Sequence, residues 1–238
     1  MNWHARYLQQ AAWTRDLRTY LFEQAGLKTA RRVLEVGCGT GAILRELSGP
    51  ALCGLDLNAG SLAQCRIHAP AASLSQGDGH FLPHADKSFD IVYCHYLLLW
   101  VKDPLQVLCE MARVGHCVLA LAEPDYSQRV DKPPALEPLG RWQTEALRRQ
   151  GANPSFGASL AETFFQAGIR LIETGPIRGG AVVQSPEDWE TEWDVIQSDL
   201  EGIVPGEEIQ MMKNLDDAAH RGGERALHVP TFFAWGKT

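Results

Sequence analysis

The sequence predicts an α/β fold built on a doubly wound, mostly parallel sheet. Three observations predict it. Apolar strand-like segments alternate with helix-period segments over the first half of the chain, the first strand runs into a glycine-rich turn, and Asp56 closes the second strand about 20 residues beyond the first glycine.

The elements follow in order. Leu8, Ala11, Ala12, Leu17, Leu21 and Phe22 recur at helical spacing ahead of Gly26, which predicts one N-terminal helix over 3–25. Strands are predicted at 32–36, 51–57, 73–77, 89–96 and 116–122, with helices at 41–48, 60–68 and 104–114 between them. Strands that alternate with helices pair in parallel and are covered on both faces. After Glu123 the rhythm breaks at Pro124, Pro133, Pro134 and Pro138. Helices are then predicted at 139–150, 159–167, 186–200 and 206–220, and strands at 169–174 and 231–235. Segments 124–168 and 185–222 read as a helical cap folded onto the sheet, within a single domain spanning 1–238.

Composition narrows the function classes. A net charge of -7 gives no overall attraction to nucleic-acid phosphates or anionic lipid, and the arginine pairs 31–32 and 148–149 read as solvated element ends. The apolar runs are far shorter than the roughly 20 residues that span a bilayer, and MNWHARYLQQ has no secretion-signal pattern. Six cysteines at 38, 53, 65, 94, 109 and 117 form no CxxC pair, which argues against a metal site and for a reducing, cytoplasmic compartment. The expected partner is a small molecule, with no nucleic acid and no membrane.

The segment VLEVGCGTG at 33–41 carries the chemistry. Gly37, Gly39 and Gly41 let a ligand approach the backbone, and the predicted helix start offers unpaired N–H groups. Gly37-x-Gly39-x-x-Ala42 also satisfies the dinucleotide fingerprint, and Asp56 accepts ribose hydroxyls in either case. Glu35 and the segment QGDG at 76–79 separate the two: a carboxylate at Glu35 compensates an amino-acid ammonium group, directly or through water, but repels a pyrophosphate, and Asp78 is placed to accept from an adenine amino group.

Together with GLDLNAGSL at 54–62, GDGHFLPHADKSFDIVYCHYLLLW at 77–100 and ALAEPD at 120–125, these residues make the first half of the chain resemble the class I S-adenosylmethionine-dependent methyltransferases. The likeness is strongest to the small-molecule branch of the ubiquinone and menaquinone methyltransferases. The resemblance implies a Rossmann-like sheet of seven strands, the last antiparallel, with an N-terminal lid helix over 1–26. It places Glu35, Gly37, Cys38, Gly39 and Gly41 around the methionine part of S-adenosyl-L-methionine. Asp56 would then bind the ribose, Leu57 pack on adenine, Asp78 and Gly79 read its edge, and Cys94 lie beside the sulfonium; Tyr7 and Trp13 of the lid complete the set. Where many relatives have a proline and two glycines before the fifth strand, this chain reads Arg113-Val114-Gly115-His116.

A sulfonium already activates its methyl group, so the expected tasks of the protein are alignment, exclusion of water and removal of a proton when one must leave. His95 is the candidate base at the exit of the fourth strand, with Tyr126 as an orienting group, and Glu123 or Asp125 could hold a substrate cation. Trp142, Trp189 and Trp193 read as a helix–sheet core, with Arg178 solvated, in preference to an aromatic-lined substrate pocket completed by Arg178. Two other outcomes share these motifs: aminocarboxypropyl transfer or cyclisation releasing methylthioadenosine, and a non-catalytic cofactor-binding module.

Overall fold

Period-two alternation in the central strands sorts the core into two layers. Val33, Ile91, Tyr93, Leu119 and Leu121 pack on one side of the sheet, while Leu34, Val36, Val92, Val118 and Ala120 pack on the other. The computed structural model describes residues 3–177 and 186–238. Its strands are β1 (Arg32–Val36), β2 (Ala51–Asp56), β3 (Ser73–Gln76), β4 (Phe89–Cys94), β5 (Gly115–Pro124), β6 (Val130–Lys132), β7 (Arg170–Pro176), β8 (Ala226–His228) and β9 (Thr231–Lys237). Its α-helices are α1 (Trp3–Trp13), α2 (Arg15–Gln24), α3 (Ala59–His68), α4 (Pro104–Val114), α5 (Glu137–Arg149), α6 (Leu160–Gln166), α7 (Pro186–Leu200) and α8 (Gly206–Arg221).

The main sheet has seven strands in the order β3-β2-β1-β4-β5-β9-β7. Strands β1 to β5 are parallel, and β9 runs antiparallel to both β5 and β7, so the last strand in sequence is the antiparallel one. The order reverses between β1 and β4, and in such sheets ligands bind beyond the carboxyl ends of the strands at that point. Leu62 and Cys65 of α3 with Leu21 and Phe22 of α2 cover one face, and Val107, Leu108 and Met111 of α4 with Phe164 of α6 cover the other. A third cluster, centred on Leu139, Trp193, Ile196, Leu200 and Met212, belongs to the cap alone.

Three local expectations are corrected. The N-terminal helix is two helices, because Thr14 at φ -112 and ψ 6 leaves the helical path between α1 and α2. The helix expected over 41–48 is a three-residue 3-10 turn, Leu44–Glu46. Returning along the six-residue β2 would take about 13 helical residues at about 1.5 Å each. Only residues 42–50 are available, so the chain returns through turns and the 3-10 segment, and Leu21 and Phe22 of α2 pack in the same layer. The cap also holds a two-stranded sheet of β6 and β8, too short to show a period in sequence. Where relatives have a glycine-rich turn before β5, α4 here runs straight into the strand at Gly115, whose absent Cβ would lie 2.5 Å from Val92.

Candidate active site

Because β3, β2, β1 and β4 are neighbours, their carboxyl ends bring the glycine loop, Asp56–Leu57, Asp78–Gly79 and Cys94–His95 onto one edge of the sheet. Gly37, Gly39 and Gly41 all have positive φ (74°, 50° and 79°). Their backbone does not present a row of free donors. Gly37 and Cys38 donate to the carbonyl of Leu55, Gly39 donates to Asp56 Oδ2 at 2.7 Å, and Gly41 donates to the carbonyl of Cys38. Asp56 therefore shapes the loop as well as facing the edge, and its Oδ1 accepts from Asn58 N at 2.9 Å. Leu57, 69% exposed, presents an apolar surface beside it. Asp78 accepts from the backbone N and ring Nδ1 of His80 through a single oxygen, Oδ1. Gly79 sits against Val36, where a Cβ would be 3.2 Å from Cγ1.

Helix α1 lies across this loop. His4 Nδ1 is 2.7 Å from Thr40 Oγ1, and a Cβ on Gly39 would meet the Tyr7 ring at 3.2 Å. Burial and the nearby charge of Asp56 push the Tyr7 hydroxyl up from its ordinary value. Trp13 faces the other way and stacks on the Arg6 guanidinium at 5.0 Å, while Arg6 bonds Gln9 and forms a buried ion pair with Glu192 of α7 at 3.2 Å. One short helix thus touches both the glycine loop and the cap.

Three predicted site residues turn their side chains away from the edge. Glu35 has the strand parity of Val33 and points under α2, where Tyr93 donates to its Oε2 at 2.9 Å. Burial holds its carboxyl well above the ordinary range, so it does not present a charge to an ammonium group directly. Cys38 is buried beside Cys65, and that thiol and desolvation both raise its value. The Cys94 thiol is likewise pushed up by burial within the α4-side layer. From Cys38 and Cys94 only the backbone is available to a ligand.

His95 is held by the N-terminal helices. Its Nε2 is 3.0 Å from Thr14 Oγ1, and Arg18 NH1 donates to that same oxygen at 2.7 Å. Burial first, and the Arg18 charge second, hold the ring well below its ordinary pKa, so the imidazole is neutral at physiological pH. Tyr96, edge-on to His95 with centroids 4.6 Å apart, has φ 51°. A left-handed aromatic residue is sustained only where its surroundings impose it. Here its N–H donates to the Ala122 carbonyl, and the following amides are tied to Glu123. The hydroxyl of Tyr126 lies near that of Tyr96; burial raises it, and the charge of Arg6 works against that rise.

Glu123 and Asp125 serve the backbone. Glu123, fully buried, accepts from the N–H groups of Leu97, Leu98 and Leu99 at 3.0, 2.9 and 3.1 Å, and Asp125 accepts from Ser127 and Gln128. Burial pushes Glu123 up to about 7 despite those bonds. Because its folded value lies above the ordinary 4.5, folding takes up a proton between these values, and stability falls as pH rises through that window. Glu123→Gln is expected to flatten that part of the profile. Urea midpoints of parent and variant at the two ends of the window check it, and parallel pH slopes would contradict it.

Arg6, Thr14, Arg18 and Tyr96 carry much of this geometry. Their signal in sequence is faint: a threonine inside a helical run and a residue following a strand-end histidine. Arg178 lies outside the described residues. Among the described residues no group of His, Cys, Asp and Glu is arranged to hold a metal ion, and no helix is long and apolar enough to cross a membrane.

The matches to known proteins agree with this architecture. The methyltransferase domain model matches residues 34–116. The demethylmenaquinone methyltransferase of Renibacterium salmoninarum is 31% identical over 160 residues, covering 63% of this chain and 65% of the relative. The chain thus spans less than two thirds of the length of this curated relative, and 42% of a ubiquinone biosynthesis O-methyltransferase from Cronobacter sakazakii that is 32% identical over 103 residues, or 40% of this chain. A solved structure from Anabaena variabilis, ascribed to a methyltransferase of an antibiotic biosynthesis pathway, shares the fold at 14% identity with a TM-score of 0.71, over 97% of this chain and all of the other. Residues 34–116 therefore match a methyltransferase domain, and the resemblance continues over 160 residues of a named methyltransferase.

Proposed function

We propose that the chain transfers a methyl group from S-adenosylmethionine to a small-molecule substrate. The observation that carries this reading is the continuous edge formed by the glycine loop, Asp56–Leu57 and Asp78–Gly79, in the order that the ends of a nucleoside joined to an amino acid require. The residues fit such a molecule. Asp56 retains acceptor capacity for ribose hydroxyls beyond its two backbone bonds, and Leu57 offers an apolar face to adenine. Asp78 Oδ2 is the oxygen of that carboxylate left for an adenine amino group. The loop glycines admit the methionine part, with Tyr7 on the helix above; Trp13, turned towards Arg6, is not part of this lining.

When bound, the sulfonium supplies an electrophilic methyl carbon. What this chain must do is hold, align and dehydrate the pair, since no covalent intermediate is needed. Helix α1 lies across the loop, where it would exclude water, and His95 and Tyr96 follow directly on β4 at the same sheet edge. Six free thiols suit a reducing compartment, the cytoplasm.

The test is product identity. Incubated with S-adenosylmethionine and a panel of small substrates, the protein is expected to release S-adenosylhomocysteine, seen by mass spectrometry; methylthioadenosine in its place would mark aminocarboxypropyl transfer or cyclisation. In the same preparation Asp56→Ala is expected to weaken cofactor binding by about 1.5–3 kcal/mol, the scale of charge-assisted hydrogen bonds. Equal affinities by calorimetry would remove Asp56 from the site.

A further inference from the structure

His95 sits between two different surroundings. Its Nε2 points at Thr14, while among the described residues its Nδ1 has no hydrogen-bond partner. Thr14 is 2% exposed and Arg18 is 2% exposed, so this is a buried polar chain whose protons must be assigned consistently.

The assignment follows from the donors. Arg18 has only donors; it gives one N–H to Thr14 Oγ1 and others to the Ala11 carbonyl and Glu46. The Thr14 hydroxyl then has its own proton to place. Its possible acceptors are His95 Nε2 at 3.0 Å and the carbonyls of Ala11 and Gln10 at 3.4 and 3.5 Å, and Ala11 is already occupied by Arg18. The shorter path goes to the ring. The positive guanidinium behind Thr14 also favours a lone pair, not an N–H, aimed towards it.

We propose that Thr14 and Arg18 fix His95 as the neutral ring protonated on Nδ1, so that the site offers its substrate an N–H donor where a proton-accepting nitrogen was expected. His95 is then a positioning group that holds a nucleophile by one of its lone pairs. The substrate class follows: molecules whose nucleophilic atom is already deprotonated at neutral pH, such as carboxylates or acidic phenols and enols. This second step rests on the methyl-transfer reading; the tautomer does not.

The test separates the two. Nitrogen NMR of the full chain labelled at histidine is expected to show His95 with an unprotonated Nε2 and a protonated Nδ1, unchanged across the range in which a free histidine titrates. Thr14→Val should move the proton towards Nε2, and Thr14→Ser should restore the parent pattern, which a merely structural loss would not do. A parent ring protonated on Nε2, or a Thr14→Val spectrum identical to the parent, overturns the assignment. In the assay, turnover of carboxylates or acidic phenols should be independent of pH through the histidine range. Comparable turnover of alcohols or ammonium compounds, rising with a histidine-like ionisation, overturns the substrate class. If nothing in the panel is methylated, the class falls together with the methyl-transfer reading, and the spectrum alone still decides the tautomer.

Discussion

Gly39→Val is expected to abolish cofactor binding while leaving a folded protein. Gly39 has φ 50°, a conformation that costs an L residue roughly 1–2 kcal/mol and a β-branched one more. Its N–H donates to Asp56 Oδ2, so a loop that relaxes the strain also releases the carboxylate proposed to grip the ribose. Relaxation does not rescue the space, because even a Cβ would stand 3.2 Å from the Tyr7 ring and the two valine methyls reach further. The loop lies at the sheet edge and not in the core, so the thermal transition should survive. Calorimetry with S-adenosylhomocysteine measures the loss, with Gly49→Ala as a control; that glycine shares a positive φ but has nothing within 4 Å. Near-parent affinity in Gly39→Val would take the loop out of the site.

The second large effect is on the cap. Asp216, 4% exposed, accepts from the indole N–H groups of Trp189 and Trp193 at 2.9 and 2.8 Å and pairs with Arg225. Arg225 also pairs at 3.1 Å with Asp131, which in turn holds Arg129 at 2.7 Å. This buried chain of alternating charge ties α7 and α8 to β6. Asp216→Ala would leave two indole donors without their acceptor and Arg225 with Asp131 as its remaining carboxylate, and removing one partner of a buried pair costs roughly 3–5 kcal/mol. A urea titration of parent and variant is the measurement, with Asp217→Ala as the comparison. Among the described residues Asp217 pairs with the largely exposed Arg221 alone, so its loss should change little. A shift no larger for Asp216 than for Asp217 would show the network to be dispensable.

The sheet was legible because its signals are local. Val33, Leu34 and Val36 form an apolar strand wherever they occur, and the proline-led helix α4 matches its predicted bounds, 104–114. The spacing of Gly37 to Asp56 likewise reported two adjacent parallel strands. What was not legible depends on distance and side-chain direction. Glu35 could be placed on β1, but whether it faced a ligand or the layer under α2 depended on Tyr93, 58 residues away. The turn at 44–46 required comparing the return path with the length of β2. Thr14 looked like one more residue of a helix because its reason for leaving that helix is Arg18 on one side and His95 on the other. Trp189 and Trp193 were expected in a helix–sheet core and instead pack in a cluster of the cap's own helices, and their shared acceptor Asp216 has no marker in its own segment.

Helix α1 has only eleven residues, yet His4 and Tyr7 engage the glycine loop while Arg6 engages Glu192 on α7. So short a rod cannot settle against one neighbour without being ordered against the other. Thermodynamic reciprocity then requires that any gain in nucleoside affinity caused by a molecule beneath the cap be returned in equal measure to that molecule.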